Sequence, residues 1–499
     1  MDSVFDVAII GGGINGCGCA ADAALRGLSV VLCEQDDLAS KTSSKSTKLI
    51  HGGLRYLEQF DFSLVKKALL ERQILQNVAP HLVHPISFVL PYQNNLRPLW
   101  TLRTGLFLYD HLSSSNRLPH STLITRKKDP NYFAPLDPLI HKGFLFYDCF
   151  TDDARLTITN ALQASLHGAS IMPQTKLIHA QVVKGIWQIL VQKKQGKAFQ
   201  IKAKSIINAA GPWVNDVNQL LKIPVHHDIS LVKGSHIVIK KLYEGEHAYL
   251  LQHPDKRIVF TIPYYGHTLI GTTDVAFSDT PNNVQIAPEE IDYLFNLIQP
   301  YFNKQLKHDE IITTWSGIRT LLSDHNKTPS HLSRDYALHY ADLPAPAVTI
   351  LGGKLTTYRK LALHAIDKLL PVFPEMGKSL TEHTLLPGAT WDNMAMSTYT
   401  KLAQQNYDWL DPDTLARYIN QYGTRIEHIL KDCQSMKDLG ACFSPTLYQA
   451  EIDYLVHQEW ATHPDDILWR RTKLGLSMNE REKNHLSEYL KQIHVPDTV

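Results

Sequence analysis

The chain has few cysteines, and none of them is arranged as a ligand set. Six cysteines occur among 499 residues, at positions 17, 19, 33, 149, 433 and 442, without a C-x-x-C pair or a clustered quartet. Cys17 and Cys19 are two residues apart on a predicted helix, so they lie on different faces and are poorly placed to bind one metal ion. Disulfides, iron–sulfur clusters and a metal site are therefore not expected, and the reducing cytoplasm is the natural compartment.

The sequence also lacks the features of membrane-spanning, secreted and nucleic-acid-binding proteins. There is no uninterrupted apolar stretch of about 18 residues, so no transmembrane helix is expected. The opening segment MDSVFDVAII has no basic region and runs directly into a strand pattern, so no removable leader is expected. The formal net charge of +1 comes without a basic stripe, which argues against a nucleic-acid partner.

What the chain does contain is a glycine-rich turn directly after a predicted strand. Residues 4–10 (VFDVAII) form a short apolar, β-branched run typical of a buried strand. Gly11, Gly13 and Gly16 follow in G-x-G-x-x-G spacing, which allows a tight turn, the approach of a pyrophosphate and close helix packing. The next strand ends at Glu34, where a carboxylate can accept hydrogen bonds from an adenosine ribose. The pattern predicts a dinucleotide-binding βαβ unit.

Two later glycine segments are predicted to return to the same nucleotide-binding fold. Residues 205–209 (SIINA) predict a strand that ends near Gly211, and residues 348–351 (VTIL) predict another that ends at a Gly-Gly pair. A helix that begins near Thr356 would direct its positive end towards the pyrimidine edge of a flavin, where negative charge accumulates on reduction. One fold is therefore assembled from segments scattered over most of the chain.

The segment 42–56 (TSSKSTKLIHGGLRY) is crowded with hydroxyls, lysines and glycines. A loop of this composition can wrap phosphates and pass beneath a ring system, although a solvated polar loop has the same composition. His51, Arg55 and Tyr56 combine a titratable ring, a guanidinium and an aromatic hydroxyl around a Gly-Gly pair. This combination favours a loop that binds phosphates and a ring system over a solvated polar loop.

Residues 42–72 resemble the flavin-linked glycerol-3-phosphate dehydrogenases, in particular the aerobic respiratory group of bacteria. The resemblance runs nearly from end to end, and its ordered segments could hardly occur together by chance. The further segments that carry it are RPLWTLRTGLFLYDHL (97–112), FYDCFTDDARL (146–156), INAAGPWV (207–214), LVKGSHIV (231–238), DKRIVFTIPY (255–264), IGTTD (270–274), WSGIRTL (315–321), SRDY (333–336) and GGKLTTYRKLA (352–362).

The resemblance and these patterns together predict an α/β plus α+β fold in three parts. A discontinuous, Rossmann-like FAD-binding domain of the glutathione-reductase and D-amino-acid-oxidase type is expected over residues 1–70, 149–214 and 342–388. Alternating strand patterns predict an antiparallel-sheet cap domain for the substrate over 71–148 and 215–341. The segment 389–499 is expected to be a helical C-terminal domain, with helices at 396–406, 412–421, 446–460, 465–475 and 479–492.

The cofactor implied by the resemblance is FAD, and no metal is expected. The implied FAD-binding residues are Gly11, Gly13, Ile14, Asn15, Gly16, Glu34, Thr42, Ser43, Ser44, Ser46, Lys48, Leu49, His51, Ala210, Gly211, Gly353, Lys354, Leu355 and Thr356.

The implied substrate is glycerol 3-phosphate, a small dianion best held by guanidinium forks and an ammonium. The implied substrate-binding residues are Arg55, Tyr56, Thr272, Arg319, Arg334 and Lys354. The expected reaction is hydride transfer from C2 to the flavin N5, which gives dihydroxyacetone phosphate. His51 could accept the hydroxyl proton or could instead be structural, bonding the flavin loop, and Arg319 could stabilise developing alkoxide charge.

The acceptor implied by the resemblance is ubiquinone or menaquinone, reached by peripheral attachment to the inner face of the cell membrane. Two basic, apolar surfaces could contact lipid. They are Arg97, Trp100, Arg103 and Phe107, or Trp469, Arg470, Arg471 and Lys473. We also expect a homodimer.

Three other classes of protein share parts of this pattern. A glycerol-phosphate oxidase that reduces oxygen to hydrogen peroxide would share nearly every motif. This class is disfavoured because such oxidases carry a sizeable insertion in the substrate domain that this chain lacks. Flavin-dependent amine or amino-acid oxidases would lack the cation set formed by Arg319, Arg334 and Lys354. A flavin-binding module that acts on RNA or senses redox state is disfavoured, because neither a basic stripe nor a reactive cysteine pair is present.

Overall fold

The structure is a computed structural model that describes residues 3–94, 96–113, 116–194, 196–224, 228–254, 257–282, 284–323, 335–391 and 394–493. Its strands are β1 (Val4–Ile10), β2 (Val30–Cys33), β3 (Leu49–Ile50), β4 (Val83–Pro91), β5 (Thr122–Thr125), β6 (Lys142–Thr151), β7 (Ser170–Met172), β8 (Thr175–Val183), β9 (Ile186–Lys193), β10 (Ala198–Asn208), β11 (Ile229–Lys240), β12 (Ala248–Gln252), β13 (Ile258–Tyr264), β14 (His267–Gly271), β15 (Val275–Phe277), β16 (Ile311–Leu322), β17 (Ala337–Ala341), β18 (Ala347–Leu351), β19 (Cys442–Ser444) and β20 (Leu447–Tyr448).

The α-helices are α1 (Ile14–Leu25), α2 (Phe62–Val78), α3 (Leu99–His111), α4 (Asp153–Leu166), α5 (Val214–Leu221), α6 (Pro288–Ile298), α7 (Tyr358–Asp367), α8 (Met396–Asn406), α9 (Pro412–Tyr422), α10 (Ile426–Leu430), α11 (Gln449–Glu459) and α12 (Glu480–Gln492). A π-helical turn spans Asp466–Arg471. The 3-10 turns nearest the candidate site are Thr42–Ser44, Leu54–Gln59, Gly211–Trp213 and Leu355–Thr357.

The first sheet is the predicted nucleotide-binding sheet. Its main path runs β17-β18-β10-β1-β2-β7, in which β18, β10, β1, β2 and β7 are parallel and β17 is an antiparallel edge. The β8–β9 hairpin extends the sheet beyond β10. Helices α1, α4 and α7 pack together on the sheet around one buried apolar core. The predicted fold class is confirmed here, because strands far apart in sequence lie side by side.

Small side chains on α1 let its neighbours approach closely. A Cβ atom added at Gly18 would lie 2.8 Å from the ring of Tyr358, the first residue of α7. The side chain of Asp152 caps α4 by accepting a hydrogen bond from the backbone N–H of Arg155 at 3.0 Å, as the hydroxyl- and carboxylate-rich start of that helix predicts. These contacts fix the helix N-termini at the carboxyl edge of the sheet.

The second sheet covers that edge. Its path is β15-β11-β14-β13-β12-β4-β6-β3, with β16 paired to β11 and β5 paired to β6, and only the β12–β4 pairing is parallel among its described pairs. The predicted antiparallel cap sheet is thus present. Two strands fall across the predicted boundaries: β3 joins this sheet, whereas β17 joins the first. The division into domains itself stays a prediction.

Buried ion pairs hold the helical C-terminal segment to the cofactor sheet. Arg155 of α4 forms a bidentate pair with Glu459, and the Lys473 ammonium lies 2.6 Å from an Asp152 carboxylate oxygen. The Arg471 guanidinium pairs with Asp37, with its Nη2 atom 2.9 Å from Oδ1. Charges that are buried in this way must be paired, so the contact fixes the segment in place.

One predicted membrane surface is wrong. Arg471 and Lys473 are only 0% and 3% exposed, because Asp37 and Asp152 bind them in the interior. Arg470 is likewise paired with Asp37 and Asp466. A surface whose cations are buried cannot contact lipid head groups. Within the described ranges, no helix is both long enough and apolar enough to cross a bilayer.

Candidate active site

A cavity of about 710 Å³ lies between the two sheets. The three glycine segments, the loop after β2 and seven strands of the cap sheet contribute to its wall. The carboxyl ends of β1, β10 and β18 meet there, which is where ligands bind in open α/β sheets. Its size suits a large cofactor together with a small substrate.

The first glycine turn is closely packed. Gly11 has φ +117°, and a Cβ atom at this position would lie 2.5 Å from the carbonyl oxygen of Ala209. A Cβ atom at Gly16 would lie 1.9 Å from the carbonyl oxygen of Gly11. The backbone can therefore reach the cavity only if these positions lack side chains. The turn then presents the N-terminus of α1 to an anion.

Ser43 and Glu34 flank this turn. The Ser43 hydroxyl accepts a hydrogen bond from the N–H of Ile14, the first residue of α1, at 2.9 Å. The Glu34 carboxylate accepts N–H bonds from Gly12 at 2.6 Å and from Asp36 at 2.9 Å. Burial raises the pKa of Glu34 to about 7, against the lowering effect of these two bonds. Its position at the end of β2 is that of a ribose acceptor.

Asn15 links the first glycine turn to the third. Its Nδ2 atom donates to the carbonyl oxygen of Gly352 at 3.3 Å, while its buried Oδ1 atom has no hydrogen-bond partner among the described residues. Gly352 and Gly353 have φ values of +80° and +101°. A buried acceptor without a partner beside glycine backbone fits a bound polar group, because such atoms are normally satisfied. These residues fit FAD.

The loop after β2 is fixed by contacts with the cap sheet and with helix α4. The Thr42 hydroxyl donates to the carbonyl oxygen of Ile318 at 2.8 Å, and the Ser46 hydroxyl donates to Asp153 at 2.7 Å. Lys48 does not face the cavity: its ammonium donates to Asp153 Oδ1 at 2.6 Å and to the carbonyl oxygen of Ser44 at 2.6 Å. Lys48 thus holds the loop in shape.

Two of the predicted cations line the cavity, Arg319 from the cap sheet and Lys354 from the turn after β18. The Arg319 guanidinium donates to the Thr272 hydroxyl at 2.9 Å and pairs with Asp274. The ammonium of Lys354 lies 4.3 Å from the centroid of the Tyr56 ring. This arrangement places a fork cation and a point charge on one cavity, as a phosphate requires. Arg334 and the Arg55 side chain lie outside the described residues.

His51 stands between these groups and the apolar wall. Its ring makes an edge contact with Phe260, with 6.1 Å between the centroids. Burial lowers the pKa of His51, the Asp148 carboxylate raises it, and the charges on Lys354 and Arg72 lower it further. The net direction is downward, so the imidazole is neutral near pH 7 and can accept a proton.

Most of the predicted site residues line this cavity together. They are Gly11, Gly13, Ile14, Asn15, Glu34, Thr42, Ser43, Ser46, Leu49, His51, Tyr56, Ala210, Gly211, Thr272, Arg319, Gly353, Lys354, Leu355 and Thr356. Gly16, Ser44 and Lys48 do not line it and support it from behind. The sequence reasoning missed Lys45, Asp148, Arg257, Phe260 and Asp274, which also line the cavity. All five lie in segments that carry the resemblance, so those segments could have indicated them as site residues.

A Rossmann-like sheet under an antiparallel cap, with glycine turns and cations around the cavity between them, defines a flavin-dependent oxidoreductase. Residues 6–359 match the family described as FAD dependent oxidoreductase, and residues 379–493 match the C-terminal domain of alpha-glycerophosphate oxidase. The chain belongs to this FAD-dependent oxidoreductase family. The prediction of an FAD-dependent enzyme is confirmed.

Within the family, the similar proteins include glycerol-3-phosphate dehydrogenases, as the resemblance predicted. The chain is 46% identical over 497 residues to a glycerol-3-phosphate dehydrogenase of Pseudomonas tolaasii, covering 99% of this chain and 96% of that protein. It is 42% identical to the aerobic glycerol-3-phosphate dehydrogenase of Escherichia coli and 41% identical to a D-erythritol 1-phosphate dehydrogenase of Brucella abortus, with 97% of each chain covered. A solved glycerol-3-phosphate dehydrogenase of Bacillus halodurans, complexed with FAD, superposes with a TM-score of 0.75 at 25% identity, covering 98% of this chain and 94% of that one.

Proposed function

We propose that this protein oxidises sn-glycerol 3-phosphate to dihydroxyacetone phosphate and passes the electrons to membrane quinone. The observation that carries the proposal is the convergence of Arg319, Lys354 and Tyr56 on the cavity that His51 shares. The names of the similar dehydrogenases support a polyol phosphate as the substrate class.

In this proposal, each side chain has one task. Arg319 and Lys354 hold the phosphate, which orients the remainder of the substrate without touching the reacting carbon. Bound FAD supplies the hydride acceptor. An unprotonated ring nitrogen of His51 accepts the hydroxyl proton, and the apolar wall around Phe260 excludes water from that transfer.

The test is anaerobic stopped-flow reduction of the purified holoenzyme. Glycerol 3-phosphate is expected to bleach the flavin rapidly, whereas glycerol, which lacks the phosphate, is expected to leave it oxidised. D-erythritol phosphate serves as the competing substrate, because a similar dehydrogenase is named for it. Reoxidation by a soluble quinone should be far faster than by air. Fast reoxidation by air with peroxide release would instead make the protein an oxidase, and bleaching by D-erythritol phosphate alone would exclude glycerol 3-phosphate.

We expect the pH dependence of flavin reduction to follow the lowered pKa of His51. The ordinary pKa of a histidine is 6.5, and burial lowers this one, so the base stays unprotonated below that value. At substrate concentrations well below saturation, where the rate reports the free enzyme, flavin reduction should fall to half its plateau rate only at a pH below 6.5. The measurement is stopped-flow reduction between pH 5 and 9. Half-maximal reduction above pH 6.5, or an unchanged acid limb in His51→Asn, would contradict the assignment.

The outer face of α3 is the proposed contact with lipid. Trp100 and Phe107 are 71% and 59% exposed on one side of the helix, and the exposed Arg103 lies between them. Arg97 instead pairs with Glu58. An exposed apolar strip with a cation suits peripheral attachment to the inner face of an anionic membrane.

Replacing Trp100 or Phe107 with serine is expected to weaken binding to anionic vesicles by about tenfold or more, because each buried aromatic contributes roughly 1.5–3 kcal/mol. Co-sedimentation with vesicles that contain phosphatidylglycerol measures the change. Leu139→Ser is the matched control, since Leu139 is 84% exposed and lies away from α3 in the sequence. An equal loss in the control would exclude this face.

A further inference from the structure

The hydroxyl of Tyr109 joins the backbone beside His51 to a buried ion pair. Tyr109 lies on the inner face of α3 and is 2% exposed. Its hydroxyl accepts a hydrogen bond from the N–H of Gly52 at 2.7 Å and donates to Asp148 at 2.8 Å. Asp148 is held in turn by the Arg72 guanidinium at 2.5 Å. Burial raises the pKa of Tyr109, so the hydroxyl keeps the proton that it donates.

The side chains of Leu69 and Tyr109 pack closely against Gly52. A Cβ atom at this position would lie 2.5 Å from Cδ2 of Leu69 and 2.7 Å from the Tyr109 hydroxyl. Gly52 and Asp148 both line the cavity beside His51. The proposed reaction assigns no task to Tyr109 or Asp148, although both are buried polar groups with defined partners.

We propose that Tyr109 is a positioning residue, whose hydroxyl holds the peptide between His51 and Gly52 so that the imidazole faces the substrate. Asp148 and Arg72 hold that hydroxyl in place. The inference rests on the proposed role of His51 as the proton acceptor. Its physical basis is geometric, because a displacement of about 1 Å at a reacting group can cost on the order of a hundredfold in rate.

The electrostatics around His51 agree with this arrangement. The charged groups that act on the ring are Asp148, which raises its pKa, and Lys354 and Arg72, which lower it. The same carboxylate thus orients Tyr109 and offsets part of the positive charge near the imidazole. A single network fixes both the position and the proton affinity of the proposed base.

The variant Tyr109→Phe removes only the oxygen atom. We expect the limiting rate of flavin reduction to fall about tenfold or more, with KM changed by less than about threefold, because the phosphate contacts are untouched. Tyr249→Phe is the matched control: Tyr249 is 0% exposed, and its hydroxyl donates to the carbonyl oxygen of Tyr132 at 2.9 Å in the cap sheet. FAD content and Tm are measured for both variants.

A double-mutant cycle separates positioning from a structural role. If Tyr109 acts through His51, adding Tyr109→Phe to His51→Asn should lower the remaining rate by less than about twofold. An equal loss in both backgrounds, or a Tyr109→Phe rate equal to that of Tyr249→Phe, would overturn the proposal. All rates use the polyol phosphate that reduces the wild type, so a failure of glycerol 3-phosphate itself counts only against the proposed substrate.

Discussion

Replacing Arg319 with methionine is expected to lower kcat/KM for glycerol 3-phosphate by about a thousandfold, which corresponds to roughly 4 kcal/mol. Arg319 extends from β16 into the cavity beside Thr272 and Asp274. The substitution removes a guanidinium fork that can bind two phosphate oxygens. It also removes one positive charge that offsets the Asp274 carboxylate near the phosphate, so repulsion adds to the lost attraction.

Gly234, on the strand beside β16, leaves room for the Arg319 guanidinium. A Cβ atom at Gly234 would lie 2.5 Å from Nη2 of Arg319, so a side chain there would displace the guanidinium. Steady-state kinetics with a soluble quinone measures the effect. Arg481→Met on α12 is the control, because Arg481 is exposed and far from the cavity lining. A loss of less than about tenfold with the flavin fully bound would remove Arg319 from the substrate site.

The variant Gly16→Val is expected to be purified without FAD. The added Cβ atom would lie 1.9 Å from the carbonyl oxygen of Gly11, a distance that no real contact reaches, so the glycine turn or α1 must move. Either movement displaces the helix N-terminus that is expected to face the pyrophosphate. The ratio of flavin absorbance to protein absorbance measures occupancy directly.

Gly105→Ala is the matched control for this glycine substitution. Gly105 lies inside α3, and a Cβ atom there meets nothing within 4 Å. Because alanine favours a helix over glycine by about 1 kcal/mol, the control should keep its FAD and gain slightly in stability. Full FAD occupancy in Gly16→Val would show that the turn does not need to pack as the structure has it.

The parts of the fold that could be predicted are those whose signals are local. The spacing of Gly11, Gly13 and Gly16 fixes a strand, a turn and a helix within a few residues, and the structure has β1, α1 and β2 there. The helices predicted at 396–406 and 412–421 are α8 and α9 within one residue, because a 3.6-residue period is readable without tertiary contacts.

The parts that could not be predicted depend on partners far away in sequence. Lys48 is a residue type that binds phosphate, but its ammonium pairs instead with Asp153, which is 105 residues away. Arg471 and Lys473 belong to a segment that is typical of a basic surface. In the structure they are buried and pair with acidic residues more than 300 residues away. The residues around Asp148 do not show its connection to His51, which passes through Tyr109 on helix α3. The sequence shows which residues are charged and need partners, but it does not show where in the fold those partners lie.

The residues that line the cavity are far apart in the sequence, and this affects folding during synthesis. Its lining extends from Ile10 to Thr356, and β1 acquires its neighbour β10 only after most of the intervening chain exists. At roughly 5–20 residues per second, a ribosome needs about 10 to 40 seconds to reach the end of β10 and about 20 to 70 seconds to reach Thr356. The N-terminal strands therefore have an incomplete sheet during synthesis, and we expect flavin incorporation to be a late event in biogenesis.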